Sequence, residues 1–121
     1  MRTIEPAPRV TDRTSLSAAD GHDSVVVGRY EAIPLPVPGK PRRPRPADRA
    51  VVVLSDGTRV HIEPLDAPAS VRKASERRRH DSRAVQVRGR VHVVMPSQGA
   101  GLLAPCVVDA VVEAAGRGEP S

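Results

Sequence analysis

The stretch that decides the fold is Ala84–Met95, AVQVRGRVHVVM. Val85, Val87, Val91, Val93 and Met95 share one parity, and Gln86, Arg88, Arg90 and His92 share the other. A strand returns to the same face every two residues, so this is a half-buried β-strand and not a helix. Gly89 is the one gap in the apolar parity, and a missing side chain there points to a bulge, a bend or a close backbone approach. A strand this long, bent at its middle, belongs to a small curled barrel.

An earlier segment has the same design. Ser24–Ile33 contains VVVGRYEAI, in which Val26, Gly28, Tyr30 and Ala32 match Val87, Gly89, Val91 and Val93 in spacing. Two bent strands with glycine at one phase predict two corners of one barrel. Between them, Ala50–Leu54 and Thr58–Glu63 flank Asp56-Gly57, a preferred two-residue hairpin turn. That turn pairs Ser55 with Thr58, Val53 with Val60 and Val51 with Ile62, which sends Val51, Val53, Val60 and Ile62 to the core.

The connections are distinctive. Residues 34–49 (PLPVPGKPRRPRPADR) form an extended Pro/Arg-rich loop, because proline supplies no ladder donor. Residues 68–81 hold the one predicted helix, with Pro68 in its first turn and a thin apolar stripe of Val71 and Ala74. Pro96–Ala104 reads as a loop, and the last strand, Cys106 to about Ala115, places Cys106, Val108, Ala110 and Val112 on one face. Residues 1–23 and 116–121 read as disordered tails around one domain, residues 24–115.

The element order is therefore strand, strand, strand, helix, strand, strand. With its two bent strands, its hairpin and its helix in the third gap, the chain resembles the oligonucleotide/oligosaccharide-binding (OB) superfamily. The expected fold is all-β with one helix, a five-stranded OB-like Greek-key barrel. The resemblance implies a binding face on the second and third strands, flanked by the loops 1–2 and 4–5, with the helix closing the barrel bottom away from that groove. An SH3-like barrel is the nearest alternative, although it does not require the helix.

Composition narrows the function. The chain has 121 residues, a net charge of +5, one tyrosine, and no phenylalanine or tryptophan. Residues 38–49 hold five cations against one carboxylate, and residues 72–83 hold six against two, so the basic excess is concentrated in two patches. Clustered arginines neutralise phosphates and release counterions. The candidate nucleic-acid-binding residues are Lys40, Arg42, Arg43 and Arg45 on the loop, with Arg59, His61, Arg88 and Arg90 facing outward from strands. Tyr30 has the phase of a core residue, which leaves no aromatic for stacking bases.

His22, His61, His80 and His92 have no recognised ligand spacing, and Cys106 alone cannot build a disulfide, so no metal or cofactor is expected. Cys106 follows Pro105 on an apolar phase and reads as a buried hydrophobe. No phosphate loop or nucleophile elbow is present, and Asp109 and Glu113 read as solubilising carboxylates. No apolar run is long enough to span a membrane and no leader is evident at the start, so a cytoplasmic setting is expected. The expectation is a non-catalytic module that binds single-stranded DNA or RNA. The alternative is a protein-interaction adaptor using the proline-rich loop or a barrel edge, and a small enzyme comes third. Oligomeric state is not legible in the sequence.

Overall fold

The computed structural model describes residues 8–33, 48–64, 67–94 and 104–115. In chain order the elements are β1 (Arg9–Val10), α1 (Arg13–Ala18), β2 (Asp23–Ile33), β3 (Arg49–Val53), β4 (Arg59–Ile62), a 3₁₀ turn (Pro68–Ser70), α2 (Ala74–His80), β5 (Ala84–His92) and β6 (Cys106–Ala114). The sheet order is β1-β2-β3-β4-β6-β5, and β2 also pairs with β5. That second pairing closes β2 to β6 into a five-stranded barrel. It has the expected element order and is compatible with an OB-like arrangement.

Closure depends on β2. Its first half pairs with β5, Val26 opposite Val87 and Gly28 opposite Val85, and its second half pairs with β3, Tyr30 opposite Val52 and Ile33 opposite Arg49. The chain bends where the partners overlap, and there Gly28 lies directly under the Val53 carbonyl. Gly89 plays the matching part on β5. A Cβ on Gly89 would sit 2.5 Å from the Val108 oxygen and 2.7 Å from a Val107 methyl. The β5–β6 register slips at this level, with Arg88 opposite Val111 and Arg90 opposite Val108, so β6 carries a bulge across from Gly89. Asp109, within the bulge, has a φ of 57°.

A bulge frees amides from the ladder, and a buried donor left unpaired costs about 1–3 kcal/mol. Here the buried Glu63 accepts from both Asp109 N–H (3.2 Å) and Ala110 N–H (2.7 Å). Glu63 N–H in turn donates to the Val107 carbonyl at 2.8 Å. The short parallel seam of β4 and β6 thus ends in a carboxylate that stands in for a strand.

Three expectations need correction. First, the β3–β4 loop has three residues: Leu54 N–H donates to the Thr58 carbonyl and the ladder pairs Val53 with Arg59 and Val52 with Val60. Only Gly57 takes positive φ, whereas a two-residue type I′ turn needs it at both central positions. The one-residue slip swaps faces on β3. Ala50, Val52 and Leu54 enter the core with Val60 and Ile62, while Val51 and Val53 turn outward. Second, the β6 bulge resets the strand's phase, so Val107, Ala110 and Val112 face the core instead of Cys106 and Val108.

Third, the tail expected over residues 1–23 is part of the fold from Pro8 onward. β1 runs parallel to β2, Arg9 opposite Val25, and Val10, Leu16 and Ala19 are buried in the core. Asp12 caps α1 by accepting from Ser15 N–H at 2.9 Å, and Ser15 Oγ accepts from Asp12 N–H at 3.1 Å. These reciprocal bonds satisfy orphan donors and let six residues hold a helix. Asp56 joins this segment to the hairpin, taking Arg13 N–H at 3.0 Å and Thr58 N–H at 3.1 Å. Those bonds hold its carboxyl below the usual range. The tails at residues 1–7 and 116–121 lie outside the described residues.

Both bend glycines make a steric prediction. Gly28→Ala and Gly89→Ala should each lower the urea midpoint by an equivalent of about 1–3 kcal/mol, because backbone and not a flexible side-chain end occupies the Cβ position. An alanine variant that unfolds at the wild-type midpoint would remove the close approach as the reason for either glycine.

Candidate nucleic-acid interface

The outer face of β3 and β4 is the counterpart of the expected binding face. Arg49, Val51 and Val53 alternate outward from β3, and Arg59 and His61 do so from β4. Across this face the registers align Glu31, Val51, His61, Cys106 and His92 in one row. Val51 and Cys106 are fully buried although they stand outside the core cluster. His61 is half-buried, and its Nδ1 is enclosed without a hydrogen-bond partner. Burial, assisted by the charge of Arg59, lowers its pKa, so the ring is neutral near pH 7. Cys106 is buried as expected, but on the outer row and not in the core.

The predicted cations divide into groups. Arg59 and His61 share the β4 face. Arg88 and Arg90 are on β5, with the whole of β6 between them and β4. The register sets Arg90 level with Val108 and Arg59 level with Ala104, a further displacement of roughly 13 Å along the strands. The four strand residues therefore do not form one site, and Arg88 and Arg90 do not belong to the β3–β4 face. Lys40, Arg42, Arg43 and Arg45 lie outside the described residues.

The strand arginines are also matched with acids. Arg59 meets Glu31 at 3.0 Å and Arg29 meets it at 3.8 Å, Arg88 meets Glu113 at 3.6 Å, and Arg90 meets Asp23 at 3.8 Å. Exposed pairs of this kind are worth about 0–1 kcal/mol, so they hold no arginine firmly, but each leaves a carboxylate beside any incoming phosphate.

The other basic segment is differently placed. The resemblance implies a helix away from the groove, whereas the residues flanking α2 on either side are hydrogen-bonded to the two roots of segment 34–47. Arg72 N–H donates to the Asp48 carbonyl at 2.8 Å, and Ala32 N–H donates to Asp81 Oδ1 at 3.0 Å. Ile33 and Arg49 are ladder partners, so the two roots stand side by side at this end of the barrel.

Polar groups seat the helix there. The expected apolar stripe fails: Val71 is 51% exposed and Ala74 is exposed. Glu76 and the buried His80, one turn apart, face the barrel instead. The fully buried Tyr30 donates from its hydroxyl to Glu76 Oε2 at 2.8 Å, and its ring lies 5.8 Å from that of His80. Arg72 grips the same carboxylate in a fork, Nε to Oε2 and Nη2 to Oε1, each at 2.8 Å. Burial and the bond to Glu76 push the Tyr30 pKa upward. For Glu76 burial acts in the raising direction, but the hydrogen bonds from Arg72 and Tyr30 outweigh it and hold the carboxyl low. The sole aromatic is thus spent on seating the helix, in line with its core phase. No signal within 68–81 distinguishes this polar docking from a solvated helix, because the partner is Tyr30.

Among the described residues, no group of three or more His, Cys, Asp or Glu side chains is placed to hold a metal ion, and no helix is long and apolar enough to cross a membrane. No protein-family model, curated protein or solved structure matches the chain.

The Glu76 cluster predicts a pH dependence. Its folded pKa lies below the ordinary carboxylate value, so its stabilisation is complete above about pH 4.5 and fades as pH falls through the lowered folded value. Glu76→Gln should cost about 1–3 kcal/mol at pH 7. The urea midpoints of wild type and variant should converge over the pH interval below about 4.5. A gap that stays constant over that interval would show that the charge of Glu76 is not what seats the helix.

Proposed function

We propose that this chain is a non-catalytic binding module of the OB superfamily whose ligand is single-stranded DNA or RNA. The observation that carries the reading is the position of the two roots of segment 34–47. Its roots are the ladder partners Ile33 and Arg49, at the end of the same β3–β4 surface that bears His61 and Arg59. The segment contributes Lys40, Arg42, Arg43 and Arg45 with no carboxylate of its own, whereas the strand arginines each have one nearby. Phosphate contact is therefore assigned to the loop cations. Arg59 and the neutral His61 contribute polar surface on which a strand can lie. Arginine guanidinium planes supply what stacking there is, since Tyr30 is enclosed.

The enclosure of Tyr30 also favours a second reading, a protein-interaction adaptor that displays the proline-rich segment as an extended ligand. The two are separated first by absorbance. With one tyrosine and no tryptophan the protein absorbs weakly, so bound nucleic acid dominates the ratio at 260 and 280 nm. A high ratio that collapses after a high-salt wash is expected, and a clean spectrum from the start favours the adaptor.

The direct test replaces Lys40, Arg42, Arg43 and Arg45 together with alanine and titrates a labelled single strand against salt. Loss of four phosphate contacts should flatten the slope of log K against log salt by roughly 3 and weaken binding at every salt concentration. Unchanged affinity and slope would overturn the assignment of the loop.

A further inference from the structure

The most strongly unbalanced charge among the described residues lies on α2. Its nearby carboxylates are already engaged: Glu76 takes Tyr30 and Arg72, and Asp81 takes the amide of Ala32. Lys73, Arg78 and Arg79 are exposed and form no ion pair among the described residues. Cations at a helix C-terminus are stabilised by the macrodipole, by about 0.3–1 kcal/mol each. That effect is confined to the last turn and so does not account for Lys73, which precedes the helix.

Beside Arg78 is an open cleft of about 570 Å³, lined by Arg77, Arg78, Ala32 and Asp81, and Lys73 lines a second hollow with Arg72 and Glu76. Arg77 is braced at the helix by an Nε–H bond to the Arg72 carbonyl at 3.2 Å, whereas Arg78 projects into solvent. The cleft opens next to Ala32, one residue before the chain enters segment 34–47 from Ile33. The nearest carboxylate, Asp81, has one oxygen committed to the Ala32 amide. Cations therefore outnumber the single acid on this surface.

We propose that this surface of α2, with Arg78 at the cleft and Lys73 and Arg79 on its flanks, is a second phosphate-contacting site for a single nucleic-acid strand. The inference rests on the functional reading above and extends it, taking the bound strand off the β3–β4 face and over this end of the barrel. The hydrogen bonds at Asp48 and Ala32 fix the helix against the end of that face, so both surfaces lie on one path. A strand long enough to cover both reaches the helix cations, and a short one does not.

The test uses the full chain and a triple variant, Lys73→Ala/Arg78→Ala/Arg79→Ala, beside the four-residue loop variant. All three substituted side chains are exposed, so the variant should fold as wild type does, with its thermal midpoint lowered only slightly by the lost macrodipole contacts of Arg78 and Arg79. Labelled oligothymidylates of about 6 and about 20 nucleotides, bracketing the reach of one barrel, are titrated against salt. The helix variant should lose roughly tenfold or more in affinity for the longer strand at about 0.1 M salt, with a slope shallower by about 2, and should bind the shorter strand as wild type does. If the helix variant matches wild type on both strands while the loop variant is weakened, the helix site is overturned and the functional reading stands. Wild type that binds neither strand overturns both.

Discussion

Barrel closure turns on one crowded point, the overlap on β2 where Arg29 is a ladder partner of both Val53 and Ala84. A strand can serve two neighbours on opposite edges, but to curl from one to the other it must bend, and the neighbour's backbone then falls where a side chain would be. Gly28 is the solution at that position, and Gly89 solves the same problem across from the β6 bulge. Much else follows from the bend. It delivers Tyr30 beneath α2, brings Ile33 beside Arg49, and thereby decides where segment 34–47 leaves the barrel.

The chain is rich in arginine, but Arg29, Arg59, Arg88 and Arg90 on the barrel strands each have an acid within 4 Å, and such surface is poor at attracting a polyanion. At the end of the barrel occupied by α2 the acids Glu76 and Asp81 serve internal bonds, and Lys73, Arg78 and Arg79 are left to solvent. A buried hydrogen-bonded triad thus has an electrostatic effect beyond stability. By engaging Glu76, it removes one of the two carboxylates, with Asp81, that could have neutralised the helix.

The alternation of β5 and the matching phase of β2 were legible because each strand buries one face, and a two-residue period then has one consistent reading. The hairpin was legible as a hairpin but not in its register. Asp56-Gly57 looks like a two-residue turn, and nothing nearby shows that Asp56 also serves the amide of Arg13 or that Ser55 N–H donates to Thr11. The β6 phase was lost at the bulge, whose amides are satisfied by Glu63, a residue more than forty positions earlier. The Asp12-Arg13-Thr14-Ser15 cap did signal α1, but a six-residue helix is too short for periodicity to detect. Of the candidate interface, the shared parity of Arg59 and His61 was readable. Their separation from Arg88 and Arg90 was not, since it depends on β6 inserting between β4 and β5.

The seam closed by Glu63 gives the barrel an uneven profile of opening. The β2–β5 ladder has seven residue pairs and the β4–β6 ladder only two. Beyond those two, on the side facing β4, the amides of Asp109 and Ala110 are held by one side chain and not by a strand. Local opening starts where few backbone bonds must break together, and it spreads through units of shared structure. Swinging the Glu63 carboxylate aside releases Asp109 and Ala110 without disturbing β2 or the tyrosine beneath the helix. The barrel is therefore a continuous ring in geometry but a clasped band in its fluctuations, with the clasp at its shortest ladder.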